Sequence, residues 1–86
     1  MTRLSDCGHD TVAAITHAVE KKRLVLPTEI SLRKLEELTG HRVQSIGSAF
    51  DDYISPNLQE LGIEARKCGT PVVIQLKHMS ARRLKT

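Results

Sequence analysis

The sequence predicts a small α+β domain, three helices closed by a C-terminal β-hairpin. Three observations carry that expectation. Apolar residues recur at helical spacing between Thr11 and Ile54, glycines stand where two of those helical stretches should stop (Gly40 and Gly62), and the period changes from helical to alternating after Gly62. The chain has 86 residues, which allows one domain with a modest core. With one Phe, one Tyr and no Trp, that core must be built from Leu, Ile and Val. The same shortage argues against a single-strand nucleic-acid binder, which stacks bases on several aromatic rings.

Residues 1–9 read as a flexible N-terminus. Asp10 is a suitable N-cap for a helix over Thr11–Lys22, with Val12, Ile15 and Val19 on one face and Ala14 and Ala18 beside them. Lys21, Lys22 and Arg23 close it, where cations complement the carbonyl end of the dipole. Pro27 disfavours helix at Leu26, so an extended link with a short strand near Thr28–Ile30 is expected. Leu24, Val25 and Leu26 fall outside the regular elements and form a candidate apolar patch for self-association.

Ser31 is a good N-cap for a short helix with Leu32, Leu35 and Leu38 inward, and Gly40 occupies its C′ position. A helix over His41–Ile54 follows, with Val43, Ile46 and Phe50 inward, then Tyr53 and Ile54. Pro56 should interrupt it and start a further turn through Leu61, ended by Gly62. Gly47 inside this helix costs about 1 kcal/mol relative to Ala. Close packing against another helix is the favoured explanation, close approach of a ligand backbone the other. Ile63 and Ala65 then alternate with Glu64 and Arg66, and Val72, Ile74 and Leu76 with Val73, Gln75 and Lys77, around a Cys68–Pro71 turn. Residues 79–86 read as a basic C-terminal tail.

The order of these elements, with "SLRKLEELTG" leading to "LQELGI" and then a hairpin, resembles the winged helix-turn-helix family over residues 10–78. The resemblance is topological. It implies duplex DNA binding, with the third helix in the major groove and the hairpin wing on phosphate. Carried onto this sequence, His41, Arg42, Gln44, Ser45 and Ser48 are the exposed residues at the start of the reading helix. Arg can bind guanine and Gln adenine through two hydrogen bonds, while Ser hydroxyls suit phosphates. Arg33 and Lys34 on the preceding helix would reach the backbone, as would Arg66 and Lys67 in a wing spanning Arg66–Pro71. The expected role is a small regulator or an accessory factor for recombination, replication or partition. A protein partner and a homodimer are compatible with the same family, which also serves as adaptors or as inhibitors of nucleic-acid-binding machines.

Charge is unevenly spread. Residues 63–86 hold six Lys/Arg against one Asp/Glu, whereas residues 31–62 hold three against five. Attraction to phosphate would therefore come mainly from the hairpin and from Arg82, Arg83 and Lys85. Asp51 and Asp52 lie late on the reading helix and Glu36 and Glu37 on its partner, which favours a protein-interaction module as the alternative.

Other classes receive little support. Cys7, His9, His17, His41, Cys68 and His78 contain no C-x-x-C or H-x-x-x-H pair, so no metal or other cofactor is expected. There is no Gly-rich phosphate loop and no G-x-S-x-G, and neighbouring Asp51 and Asp52 diverge on a helix, so catalysis is not expected. No apolar run approaches the ~18 residues of a membrane span. No secretory h-region precedes the first helix, which makes a reduced cytoplasmic protein the expectation.

Overall fold

The structure, a computed structural model, describes residues 3–79. It is a small α+β fold of helices packed against a three-stranded antiparallel sheet. The elements run α1 (Leu4–Glu20), β1 (Thr28–Ser31), α2 (Leu32–Thr39), α3 (Val43–Ala49), a π-helical turn (Phe50–Ile54), α4 (Ser55–Glu60), β2 (Ile63–Cys68) and β3 (Val73–His78). The sheet order is β1-β3-β2, so the first strand adds to the free edge of the hairpin's second strand. Ile30 pairs with Ile74, and Ala65 with Leu76.

Helix α1 begins well before the expected Thr11. Residues 4–9, read as flexible, are helical, and Asp10 lies inside the helix rather than at its cap. The reason is tertiary. Cys7, Gly8 and Thr11 are buried, and Gly8 lies so close to Tyr53 that a Cβ there would collide with the tyrosine's Cβ. Gly8 is thus a crossing point, a place where two helical backbones approach because one carries no side chain. At the other end, Lys22 takes a left-handed φ of 61°, and the Arg23 N–H donates to the Ala18 carbonyl at 2.8 Å. That is the bond of a Schellman cap, made here around a lysine instead of a glycine.

Helix α2 follows its local signals. The Ser31 side chain accepts from the Lys34 N–H at 3.0 Å. Gly40 has a φ of 82°, and its N–H donates to the Glu36 carbonyl. Leu35 is fully buried and Leu32 half-buried, but Leu38 is 45% exposed, so the expected three-leucine stripe narrows to two.

The third helix ends at Ala49, not Ile54, and Pro56 does not break the chain's helical course. Backbone angles stay right-handed through Ile54 and Ser55, and the Ser55 N–H reaches back five residues to the Phe50 carbonyl. Proline at 56 has no N–H for the Asp52 carbonyl, and its ring would crowd that carbonyl in a regular helix. The widened turn accommodates both facts. The Asn57 side-chain amide also donates to the Tyr53 carbonyl.

The core joins Ile15, Leu35, Ile46, Phe50, Ile54 and Leu58 from the helices to Ile30, Ile63, Ala65, Ile74 and Leu76 from one face of the sheet. Of the expected apolar patch, Leu24 and Leu26 pack against this core and only Val25 projects, 72% exposed. Among the described residues no helix is long and apolar enough to cross a membrane.

Candidate functional site

The turn between α2 and α3 is fixed from three sides. The Thr39 hydroxyl donates to the Leu35 carbonyl at 2.8 Å and accepts from the His41 N–H at 3.1 Å. The His41 ring meets the Asp10 carboxylate of α1, Nε2 to Oδ2, at 2.8 Å. Gly40 supplies the left-handed residue between them. His41 therefore ties α1 to the turn, with only 14% of its side chain exposed. It belongs to the scaffold that sets the direction of α3, not to the exposed start of a reading helix. Ser45 is likewise only half-exposed.

Arg42, Gln44 and Ser48 are exposed. Gln44 and Ser48 are one turn apart on α3 and share one outward stripe, whereas Arg42, at the N-cap and two residues before Gln44, stands at the start of the helix off that stripe. The stripe continues into exposed Asp51 and Asp52 on the π-turn. Asp51 is nine residues beyond Arg42, ~13 Å along the axis at ~1.5 Å per residue. A polar end that can donate hydrogen bonds and an acidic end thus share one helical run.

On α2, Arg33 and Lys34 are both exposed, and Lys34 stands 3.8 Å from Glu37. An exposed pair of that kind contributes little and leaves the ammonium available.

The hairpin separates two residues expected to act together. Side chains alternate across a strand, so Lys67 shares a face with buried Ile63 and Ala65, while Arg66 points the other way. Lys67 Nζ lies 5.6 Å from the centroid of the Phe50 ring and 3.5 Å from the Gly47 carbonyl oxygen. It bridges the hairpin to α3. Arg66 stands on the opposite face opposite Gln75, whose amide donates to Glu29 at 3.0 Å. Glu64 and Lys77 complete that mixed-charge face, 4.0 Å apart. The expected joint phosphate contact by Arg66 and Lys67 is therefore not available from one side of the hairpin. Arg82 and Arg83 lie outside the described residues.

Gly47 does not fit the packing explanation favoured by the sequence. A Cβ at this position would find only Leu32 Cδ1, at 4.0 Å, an ordinary contact.

A second feature lies between α1, β1 and α2. An open groove of about 940 Å³ is floored by Ala13, Ala14, Leu24, Ile30 and Leu38, with Asp10, His17, Arg23, Glu29 and Lys34 among its lining residues.

The two cysteines are free and differ in environment. Cys7 is buried in α1 and Cys68 is exposed at the end of β2. Burial raises the Cys7 thiol's pKa; a hydrogen bond with Thr11 opposes that shift and the Asp10 carboxylate adds to it. The folded state thus holds the proton more tightly than the unfolded chain does. This contribution is intact below the unfolded thiol's pKa and is lost as pH rises through the folded value. At neutral pH in native buffer, one thiol per chain should react with a maleimide within minutes, and peptide mapping should place it at Cys68. Labelling of Cys7 should require denaturant. Equal rates at the two sites would contradict the burial of Cys7. Among the described residues no cluster of three His, Cys, Asp or Glu side chains could hold a metal ion.

Sequence reading missed Asp10 and Thr39 as the residues that hold the turn into α3, and Gly8 as the point where α1 crosses the π-turn. The only available signal was weak: Gly8 and Thr39 are helix-disfavouring residues near or inside apolar helical patterns. Comparison with protein-family models, with curated proteins and with solved structures gave no match for this chain.

Proposed function

We propose that this protein is a winged helix-turn-helix domain that binds duplex DNA, with α3 entering the major groove and the β2–β3 hairpin lying along the backbone. One observation carries the reading. The chain order α1-β1-α2-α3, then the π-turn and α4, then β2-β3, together with the sheet order β1-β3-β2, sets a helix bearing exposed Arg42, Gln44 and Ser48 beside a hairpin that carries Lys67. Arg and Gln are the side chains that read guanine and adenine edges through paired hydrogen bonds. Arg33 and Lys34 on α2 supply backbone contacts, and the basic residues after His78 add attraction that carries no sequence information.

The test is fluorescence anisotropy of a labelled random-sequence duplex titrated with the full chain at low and moderate salt. Binding in the micromolar range or tighter at low salt, weakening steeply as salt rises, is the expected result. No binding at tens of micromolar protein in low salt would reject the reading.

The second reading is a protein-interaction module. It is favoured by exposed Asp51 and Asp52 on the same helical run and by the open groove that exposed Leu38 helps to line. On that reading the chain acts as an adaptor, or as an inhibitor of a larger nucleic-acid-binding machine.

A further inference from the structure

Gly47 carries a penalty that no packing among the described residues requires. It lies in the body of α3, where glycine is a poor helix former, and a Cβ there would make one ordinary contact, with Leu32. The fold would be more stable with alanine. A missing side chain can still serve an approach from outside, where a bare backbone lets another backbone come close.

The surroundings of Gly47 say what kind of group would approach. Lys67 Nζ rests 3.5 Å from the Gly47 carbonyl oxygen and over the Phe50 ring, so a positive charge is held at this flank of α3 by the hairpin. A carbonyl and a ring face leave the ammonium with donors to spare. Asp51, one turn farther along, is the nearest carboxylate on the same helical run, and it is exposed. The same residue thus combines a bare Cα, whose missing Cβ would face only Leu32, with a carbonyl that draws the Lys67 ammonium to this flank of α3.

We propose that Gly47 and Lys67 form a seat for one backbone phosphate of duplex DNA, the glycine admitting the sugar-phosphate chain to van der Waals distance and the lysine holding the anion. This deepens the duplex-DNA reading and rests on it. It also gives Lys67 a role different from an extended reach off the hairpin tip, because the ammonium is already held against α3.

The experiment compares wild type, Gly47→Ala, Lys67→Met and the double variant by thermal melting and by anisotropy on one fixed duplex across a salt series. Gly47→Ala should melt about 4 °C higher, yet bind about tenfold more weakly. Lys67→Met should weaken binding and lower the salt slope by about one. In the double variant the glycine substitution should add little further loss, since both residues serve one phosphate. Wild-type binding that Gly47→Ala leaves unchanged would overturn the seat while leaving the DNA reading standing. A lower melting temperature for Gly47→Ala would also overturn it, because the fold itself would then need the glycine. Absence of wild-type binding would instead remove the DNA reading on which the seat depends.

Discussion

Gly8→Ala should destabilise the fold by about 2 kcal/mol and lower its melting temperature by roughly 10 °C. Helix propensity argues the other way. Alanine in a helix interior gains about 1 kcal/mol over glycine, and residue 8 is well inside α1. The opposing effect is larger. An added methyl at this position would meet Tyr53 Cβ and Cγ, and its neighbour is the root of a side chain rather than a mobile tip. Overpacking of this kind costs ~1–3 kcal/mol and sometimes more. Relief would require α1 and the π-turn to separate, which would disturb the packing of Cys7, Phe50 and Ile54 in the core. Taking the upper figure and subtracting the propensity gain leaves about 2 kcal/mol, a large share of the ~5–15 kcal/mol typical of such domains. The check is thermal unfolding followed by far-UV circular dichroism. A double-mutant cycle with Tyr53→Gly isolates the contact: on that background the cost of Gly8→Ala should largely disappear. An unchanged or raised melting temperature for Gly8→Ala would mean that α1 does not cross the π-turn at this glycine.

The same residue shows why parts of the fold were readable and others were not. Ser31 and Gly40 bound α2 because capping is a local matter: a hydroxyl accepts from an N–H three residues on, and a left-handed residue ends the helix. Both signals lie within the segment they control. The start of α1 lacks such a signal. Its N-cap position, Arg3, makes no side-chain cap bond, while Asp10 resembles a better cap than it turns out to be. What extends the helix to Leu4 is burial of Cys7 and Gly8 against residues more than forty positions away, and no local pattern records that contact.

The π-turn has a similar origin. Pro56 marks a disturbance but does not say whether the chain breaks or widens there; the widened turn leaves Tyr53 half-buried and Ile54 and Leu58 fully buried. The separation of Arg66 from Lys67, by contrast, was present in the alternation itself. Ile63 and Ala65 are the apolar members of β2, and Lys67 continues their parity. A lysine on a core-facing parity near a strand's end can lay its aliphatic stem along apolar surface while its ammonium stays in water. His41 could not be assigned the same way, because its partner Asp10 is 31 residues distant.

On the proposed duplex-DNA reading, specificity and attraction should separate in the second large effect, because the residues assigned to them by that proposal lie in different parts of the chain. Arg42→Ala should cost ~1–3 kcal/mol on a preferred duplex and flatten discrimination among bases at one position. It should leave the melting temperature nearly unchanged, since Arg42 is exposed and makes no side-chain cap bond. Arg82→Ala/Arg83→Ala should do the reverse. Two fewer charges should lower the slope of log affinity against log salt by about two, since each neutralised phosphate contributes ~0.9. Base preference should remain as it was. The acidic end of the helical run sharpens the contrast: with Asp51 and Asp52 exposed beyond Ser48, only the first turns of α3 can approach phosphates without repulsion. Asp51→Asn/Asp52→Asn should accordingly tighten binding to every duplex alike. Selection from a random duplex pool, followed by salt titrations of each variant on the selected and on an unrelated sequence, measures both quantities. If Arg42→Ala shifted affinity equally on the two sequences, the arginine would be a phosphate contact and α3 would not be reading bases through it.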